Sequence, residues 1–174
     1  MRSKKTLVLL TSLAIVLVGI IAYPAVTTVL GVGTIKHSEL FDGPAEVTAR
    51  HFSSLPGDVG GWHYHPGYVF NVVTKGTVIV EDGCGGEDAY SAGDAFEKIG
   101  GRVHRFMNRG EVPAEEYQTF IMPKGNPLAV NLTERRCGPP RGARECRNGG
   151  WMDYDHPRRF ANQGDCIQFV RKGD

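Results

Sequence analysis

Short apolar or alternating segments, separated by turns rich in glycine and proline, fill the chain from residue 26 to residue 122. Segments of this length and pattern predict β-strands, and almost no part of the stretch has the 3.6-residue periodicity of an amphipathic helix. Glycine accounts for 23 of the 174 residues, which fits a fold with many turns. Eight or nine short strands joined by turns predict an all-β domain in which two antiparallel sheets close into a barrel.

Two histidines stand one residue apart, at His63 and His65, in the glycine-bounded segment 61–76. Side chains at positions i and i+2 of a strand share one face, so both imidazoles are expected to point the same way. Neutral imidazole is a good ligand for zinc, iron, copper and nickel. Two histidines supply half of a metal site, and a third histidine, His104, follows in a second glycine-bounded segment, residues 93–108.

Together the two segments resemble the paired motifs of the cupins, G-x5-H-x-H-x3-4-E-x6-G and G-x5-P-x-G-x2-H-x3-N. The resemblance spans about residues 37–124 and has Ile99 at the proline position of the second motif. It implies a cupin-type double-stranded β-helix, or jelly-roll, barrel with a metal site inside. The matching residues are Gly57, His63, His65 and Gly76 in the first motif, and Gly93, Gly101, His104 and Asn108 in the second.

The glutamate of the first motif is missing. Val69 stands at its position, or Phe70 in the longer variant of the motif, and neither side chain can bind a metal. The resemblance therefore implies three metal ligands, His63, His65 and His104, and a divalent transition metal such as Fe, Mn, Ni or Zn. The alternative is a metal-free binding barrel in which these histidines hold no ion.

Glu97 is the residue expected to replace the missing carboxylate. Period-two alternation places Ala95, Glu97 and Ile99 on one face of a strand, and Ala95 and Ile99 suit an interior wall. Glu97 would then lie near the metal and act as a general base or as a replacement ligand. The alternative is that Glu97 faces outward and pairs with a surface cation.

The expected small-molecule pocket is lined by Tyr68, Phe70 and Phe106, which are aromatic residues close to the histidine motifs. For Tyr68 the alternative is wall packing or a place at the rim, and for Phe70 and Phe106 the alternative is a place in the core. Arg102 and Arg105 flank the third histidine, and they either bind an anionic substrate or belong to the solvated surface.

The amino terminus has the pattern of an export signal. Arg2, Lys4 and Lys5 precede an uncharged apolar run over residues 7–22. The run is long for a cleaved signal and short for a membrane span, which needs about 20 residues. We expect residues 1–31 to be a signal peptide or an amino-terminal membrane anchor. Either one places the barrel outside the cytoplasm, in the periplasm, at the cell surface or secreted, because the basic residues before the apolar run stay on the cytoplasmic side of the membrane.

Residues 128–174 differ in composition from the predicted barrel at residues 32–127. Arginine, glycine and proline dominate residues 135–150. The following segment resembles a short tail seen on many exported bacterial proteins, with Cys, Gly-Gly-Trp, Phe-x-Asn-Gln-Gly-x-Cys and a short apolar strand. So small a tail has no core of its own and needs a covalent staple.

Four cysteines are present, at Cys84, Cys137, Cys146 and Cys166. An even number on an exported chain predicts two disulfides, and the absence of a Cys-x-x-Cys pair argues against a zinc–thiolate site. Cys146 with Cys166 would staple the tail, and Cys84 with Cys137 would then tie the tail to the barrel. The sequence leaves all three possible pairings open.

Charge is distributed unevenly. Residues 7–134 hold 8 Lys/Arg against 14 Asp/Glu, and residues 135–174 hold 9 against 5. An acidic barrel with a modestly basic tail is a poor match for nucleic acid. The expected partners are a small-molecule ligand or substrate, a membrane only through the amino-terminal segment, and a second copy in a homodimer.

Three classes of function fit these features. The first is a metal-dependent small-molecule enzyme of the oxygenase, lyase or isomerase type. Three neutral imidazoles leave a divalent ion its full charge, which polarises a bound oxygen atom or leaves positions open for dioxygen and substrate. The second is a non-catalytic binder of a sugar or an organic acid. The third is a structural barrel that carries the tail.

Overall fold

The computed structural model describes residues 25–172, which form two five-stranded antiparallel sheets and a short helical tail. The strands are β1 (Val26–Ile35), β2 (Ala45–Ser54), β3 (His63–Tyr64), β4 (Tyr68–Lys75), β5 (Thr77–Asp82), β6 (Glu87–Ser91), β7 (Ala95–Lys98), β8 (His104–Met107), β9 (Ala114–Pro123) and β10 (Val130–Asn131). A 3-10 helix at Gly150–Asp153 and helix α1 (Gln163–Lys172) follow.

The strand order in the first sheet is β1-β2-β9-β4-β7, and the order in the second is β10-β3-β8-β5-β6. Apart from the consecutive pairs β1–β2 and β5–β6, neighbours within a sheet are not consecutive in the chain, as in a jelly roll, where successive strands alternate between two sheets. The predicted all-β double-sheet barrel is confirmed. The histidine strand β3 belongs to the second sheet, and the strand that follows it belongs to the first.

Alternation decides which side chains enter the space between the sheets. In β9 the residues at even positions from Ala114 to Met122 are buried, while odd positions such as Tyr117 are more exposed. One apolar cluster joins Val69 with Phe120 and Met122, and Leu128 packs against it. A second cluster, of Val73, Val78 and Ala114, joins the two sheets further along β4 and β5.

The turn at Gly76 carries the chain from one sheet to the other. The flanking strands β4 and β5 do not form a hairpin, because they pair with different strands. Gly76 has a φ of 66°, and a Cβ at this position would lie 2.6 Å from the carbonyl oxygen of Pro113. Only glycine fits both the backbone conformation and the close approach of the neighbouring chain.

Two strands extend beyond the predicted barrel at residues 32–127. Strand β1 begins at Val26, inside the predicted amino-terminal segment 1–31, and β10 lies beyond the predicted end of the barrel at residue 127.

The apolar run at residues 7–22 lies outside the described residues. Among residues 25–172 no helix is long and apolar enough to cross a membrane. All residues of β1 are exposed. The predicted homodimer stays a prediction.

The expected disulfides are both present, Cys84–Cys137 and Cys146–Cys166. The first bond holds the start of the tail against the second sheet, where the Val103 amide also donates a hydrogen bond to the carbonyl of Gly138. The second bond lies at the centre of the tail's own apolar cluster. Buried Phe160 packs there with both cysteines, and the partly buried side chains against them are Trp151, Tyr154, Ile167, Phe169 and Val170.

The prediction of a short apolar strand after Cys166 is wrong, because this segment forms helix α1. Asn162 caps the helix: its side-chain oxygen accepts a hydrogen bond from the Asp165 amide at 2.9 Å. The Asp165 carboxylate lies in the first turn and pairs with Arg158 at 2.8 Å. Buried Cys166 and half-buried Val170 share one side of the helix at a spacing of four residues, which is helical periodicity.

We expect replacement of Cys146 and Cys166 by serine to open the tail while leaving the barrel folded. In the chain-entropy model, closing a loop of this length contributes about 3 kcal/mol, and the tail has only one small apolar cluster to replace it. Hydrogen exchange of the double variant should be faster in α1 and unchanged in β9. An Arg147→Ala variant, at an exposed neighbouring position, is the control. Unchanged protection of α1 in the double variant would contradict this account.

Candidate metal centre

Strand pairing brings the three predicted histidines together. His63 in β3 lies directly opposite His104 in β8, and His65 follows one residue after the end of β3. Nitrogen atoms of all three side chains lie within 4.8 Å of one another. The ring centroids are 4.5 Å apart for His63 and His104, 4.9 Å for His65 and His104, and 5.0 Å for His63 and His65.

Backbone carbonyl groups fix the orientation of each imidazole. The Nδ1 atom of His63 lies 2.9 Å from the Gly61 carbonyl oxygen, and that of His104 lies 2.9 Å from the Arg102 carbonyl oxygen. The Nδ1 atom of His65 lies 2.6 Å from the carbonyl oxygen of Leu128. A carbonyl oxygen can only accept, so each Nδ1 carries the proton and each Nε2 keeps a free lone pair.

The free Nε2 atoms are the atoms that a metal would bind. Nε2 of His104 is buried and has no hydrogen-bond partner, which is unfavourable for a polar atom unless something else occupies its lone pair. A histidine that binds a metal through one ring nitrogen also usually donates a hydrogen bond from the other ring nitrogen, often to a carbonyl oxygen. The three residues therefore fit a divalent transition metal.

Burial keeps the imidazoles neutral. It lowers the pKa of His63 to about 4 and that of His65 to about 3, and it lowers the pKa of His104 well below its usual value. The positive charge of nearby Lys98 acts in the same direction on all three histidines. Since only the neutral ring has a free lone pair on Nε2, the site is ready to bind a metal at physiological pH.

The prediction that Glu97 faces the interior is wrong. Strand β7 pairs with β4 so that Val69 lies opposite Lys98 and Asn71 lies opposite Phe96. Val69 and Asn71 are buried, which places Phe96 and Lys98 on the inner face and leaves Glu97 exposed. Ala95 and Ile99, chosen as interior residues because they are apolar, are exposed with Glu97.

The three aromatic residues expected to line the pocket lie elsewhere in the fold. Phe70 is 43% exposed and belongs to the outer face of β4, so its predicted place in the pocket is wrong. Tyr68 packs against Phe41, with the ring centroids 5.7 Å apart. Phe106 lies edge-on to Phe52 at 4.8 Å and packs against the second apolar cluster. None of these three rings lines the cleft described next.

A cleft of about 340 Å³ runs between the edge strand β7 and the second sheet and reaches His104. Its inner wall includes Lys98 and Arg102, both largely screened from solvent, and its exposed rim includes Glu97 and Asp88. This cleft gives a small molecule access to one of the three histidines. The full lining is Val80, Asp82, Asp88, Tyr90, Ala95, Phe96, Glu97, Lys98, Ile99, Arg102, Val103, His104 and Arg141.

A buried polar chain crosses the first sheet beside the site, and sequence reasoning missed it. Nε of Arg50 donates to the side-chain oxygen of Gln118, and Nε2 of Gln118 donates to Glu116 at 2.6 Å. Burial raises the pKa of the Glu116 carboxyl. The signal was the alternation of β9, which puts Glu116 and Gln118 on the same face as the apolar residue Phe120.

Residues 50–122 match the family model described as Cupin domain. This match covers both histidine segments, from within β2 to Met122 in β9, and the strands it spans make up most of the two sheets described above. The part of the chain from residue 50 to residue 122 is therefore a cupin domain. No curated protein matches the sequence.

Solved structures similar to the chain include a cupin domain from Bordetella pertussis Tohama I, with 20% identity over 57% of this chain and 95% of that chain and a TM-score of 0.44. A sugar phosphate isomerase of the cupin superfamily from Silicibacter pomeroyi DSS-3 has 24% identity over 51% of this chain and 57% of that chain, with a TM-score of 0.44. An uncharacterised double-stranded β-helix protein from Klebsiella pneumoniae has 22% identity over 64% and 86%, with a TM-score of 0.45.

The stability of the metal-free chain should fall as the pH is lowered below 6.5. Between that pH and the lowered pKa of about 3, His65 takes up a proton when the chain unfolds and stays neutral when it is folded. The unfolded state binds more protons in this window, so acid favours unfolding, by about 2 kcal/mol for His65 between pH 7 and pH 5.

Urea denaturation with a chelator present, at both pH values, measures this effect. The His65→Gln variant should show a smaller loss of stability between pH 7 and pH 5 than the wild type, because glutamine has no proton to take up. An identical loss in the two proteins would show that His65 titrates normally in the folded chain.

Proposed function

We propose that this chain is an exported cupin that holds a divalent transition metal on Nε2 of His63, His65 and His104 and acts on a small molecule that enters the neighbouring cleft. The observation that carries the proposal is the set of three hydrogen bonds from Nδ1 to backbone carbonyls. These bonds leave three Nε2 lone pairs close together in a largely buried place.

The ion, when bound, would supply Lewis-acid chemistry toward an oxygen atom of the ligand, or redox chemistry if it is iron. The protein's own residues bind and orient the small molecule. His65 and His104 are buried, so the cleft keeps bulk water away from the inner side of the site. The apolar wall of Val80, Phe96 and Val103 contributes to this exclusion.

The reaction type we favour is that of an oxygenase, lyase or isomerase, and the second candidate is a binding protein without turnover. The exposed position of Glu97 favours the second candidate, because the carboxylate expected to transfer protons does not face the inner wall. The buried carboxyl of Glu116 already accepts a hydrogen bond from the side chain of Gln118. Among the described residues that line the cleft, the partly buried groups that can exchange a proton are Asp82, Tyr90 and Lys98.

Metal retention tests the proposal. Wild-type protein loaded anaerobically with Fe(II), Mn(II), Ni(II) or Zn(II) should retain about one ion per chain after gel filtration for at least one of these metals. The His65→Ala variant should retain none, because two imidazoles bind a divalent ion far more weakly than three. Elemental analysis of the protein peak gives the stoichiometry.

His51→Ala is the matched control for the metal experiment. His51 lies on the outer face of β2, where Nε2 is 3.4 Å from Glu115, and its loss should leave the stoichiometry unchanged. The proposal fails if the wild type retains none of the four metals. It also fails if His65→Ala retains as much metal as His51→Ala.

Incubation of the metal-loaded protein with a bacterial metabolite extract separates an enzyme from a binder. An enzyme depletes particular compounds with time, and chelation or His65→Ala stops the depletion. A binder leaves the extract unchanged and carries particular compounds with it through gel filtration. Mass spectrometry of the extract and of the protein fraction distinguishes the two outcomes.

Export is supported by the start of the sequence, where three basic residues precede an apolar run. The two disulfides also support it, because disulfides persist in oxidising compartments. A reporter enzyme that is active only outside the cytoplasm, fused after Asp174, should be active. Removal of residues 1–22 should abolish that activity, because the positive and apolar regions are then gone. Activity solely of a cytoplasm-dependent reporter would contradict export.

A further inference from the structure

Positive charge exceeds negative charge in the interior beside the three histidines. Arg50 and Lys98 both face inward from the first sheet, and each lies close enough to lower the pKa of His63 and His65. The only buried carboxyl of this sheet's inner face, within residues 25–172, is that of Glu116. Two cations therefore share one carboxyl group before any metal is considered.

The two cations differ in their partners. Arg50 is connected to Glu116 through Gln118, and its guanidinium lies 4.3 Å from the centroid of the Phe120 ring. Lys98 takes part in none of the ion pairs found in the described part of the chain. Its ammonium lies 5.4 Å from the centroid of the Phe96 ring, and the side chain lines the cleft. Lys98 is thus the cation with room for a new partner.

The absence of the motif glutamate adds to this imbalance. Val69 stands at that position and lies directly opposite Lys98 in the pairing of β4 with β7. A divalent ion on three neutral imidazoles would bring two further positive charges next to Lys98. Charges that are largely removed from water are costly unless they are paired, and an anionic ligand would supply the missing negative charge.

We infer that the cleft binds a small organic acid, whose carboxylate is held between the Lys98 ammonium and the ion on the three histidines. The inference rests on the proposed metal site and names its ligand class. Arg102 supports it, because this residue lines the cleft and its Nη1 atom is buried without a hydrogen-bond partner, while its Nη2 atom lies 3.8 Å from Asp82. The acidic residues Glu97 and Asp88 belong to the exposed rim, where water screens them.

Cobalt(II) provides a spectroscopic test that does not depend on turnover. Propionate added to the Co(II)-loaded full-length protein should change the visible absorption of the ion, and propionamide, its neutral isostere, should not. In Lys98→Met the apparent affinity for propionate should fall about tenfold or more, as expected for loss of a charged hydrogen-bond donor. Lys124→Met, which removes an exposed lysine, should behave like the wild type.

Cobalt stoichiometry shows whether each variant is folded, and Lys98→Gln provides a second neutral replacement. Equal affinity for propionate in wild type and both Lys98 variants would overturn the inference, as would equal responses to propionate and propionamide. If no protein retains cobalt, amide NMR shifts of the metal-free protein decide the role of Lys98, and the proposed function itself fails if none of the four metals named above is retained either. Propionate-induced shifts around the cleft that vanish in Lys98→Met support that role, and their absence in the wild type overturns it.

Discussion

The candidate site depends on hydrogen bonds between three imidazole rings and three backbone carbonyl groups. The acceptors come from separate parts of the chain: Gly61 lies before β3, Arg102 before β8, and Leu128 after β9. Each bond fixes a tautomer and a ring orientation, which side-chain packing alone would not do. The position of the Nε2 atoms is therefore a property of the whole barrel rather than of one motif.

Leu128 links this arrangement to the core. Its carbonyl oxygen accepts the hydrogen bond from His65, and its side chain packs against Val69, Phe120 and Met122. The chain is held in place there by β10, whose Val130 pairs with Tyr64, next to the histidines. The residues after β9 thus help to build the site, although they lie beyond the segment that the family model matches.

The sequence predicted the fold and the histidine cluster because both follow from strong periodic signals. Short alternating segments separated by glycine define the strands, and His63, His65 and His104 stand at motif spacing. The face assignment of β7 failed because a strand of four residues contains too few side chains to show which face is buried. Apolar Ala95 and Ile99 favoured one face, whereas pairing with buried Val69 and Asn71 placed Phe96 and Lys98 inside.

Reasoning from the sequence also missed that Arg50 and Lys98 face inward. A lysine in a short strand is usually solvated. The long aliphatic part of Lys98 lets the residue pack along the inner wall while its ammonium remains near the cleft. Helix α1 was missed for a similar reason, since an apolar segment after a cysteine is compatible with a strand. The Asn162 cap with Asp165 three residues later was the signal that identified a helix.

A crystal structure of the zinc-loaded protein, with diffraction data collected on both sides of the zinc absorption edge, tests the central claim most directly. The account predicts one strong anomalous peak about 2.1 Å from Nε2 of His63, His65 and His104. All three hydrogen bonds from Nδ1 to backbone carbonyls should be preserved around it. Zinc bound elsewhere, or bound through Nδ1 with those hydrogen bonds broken, would contradict the account.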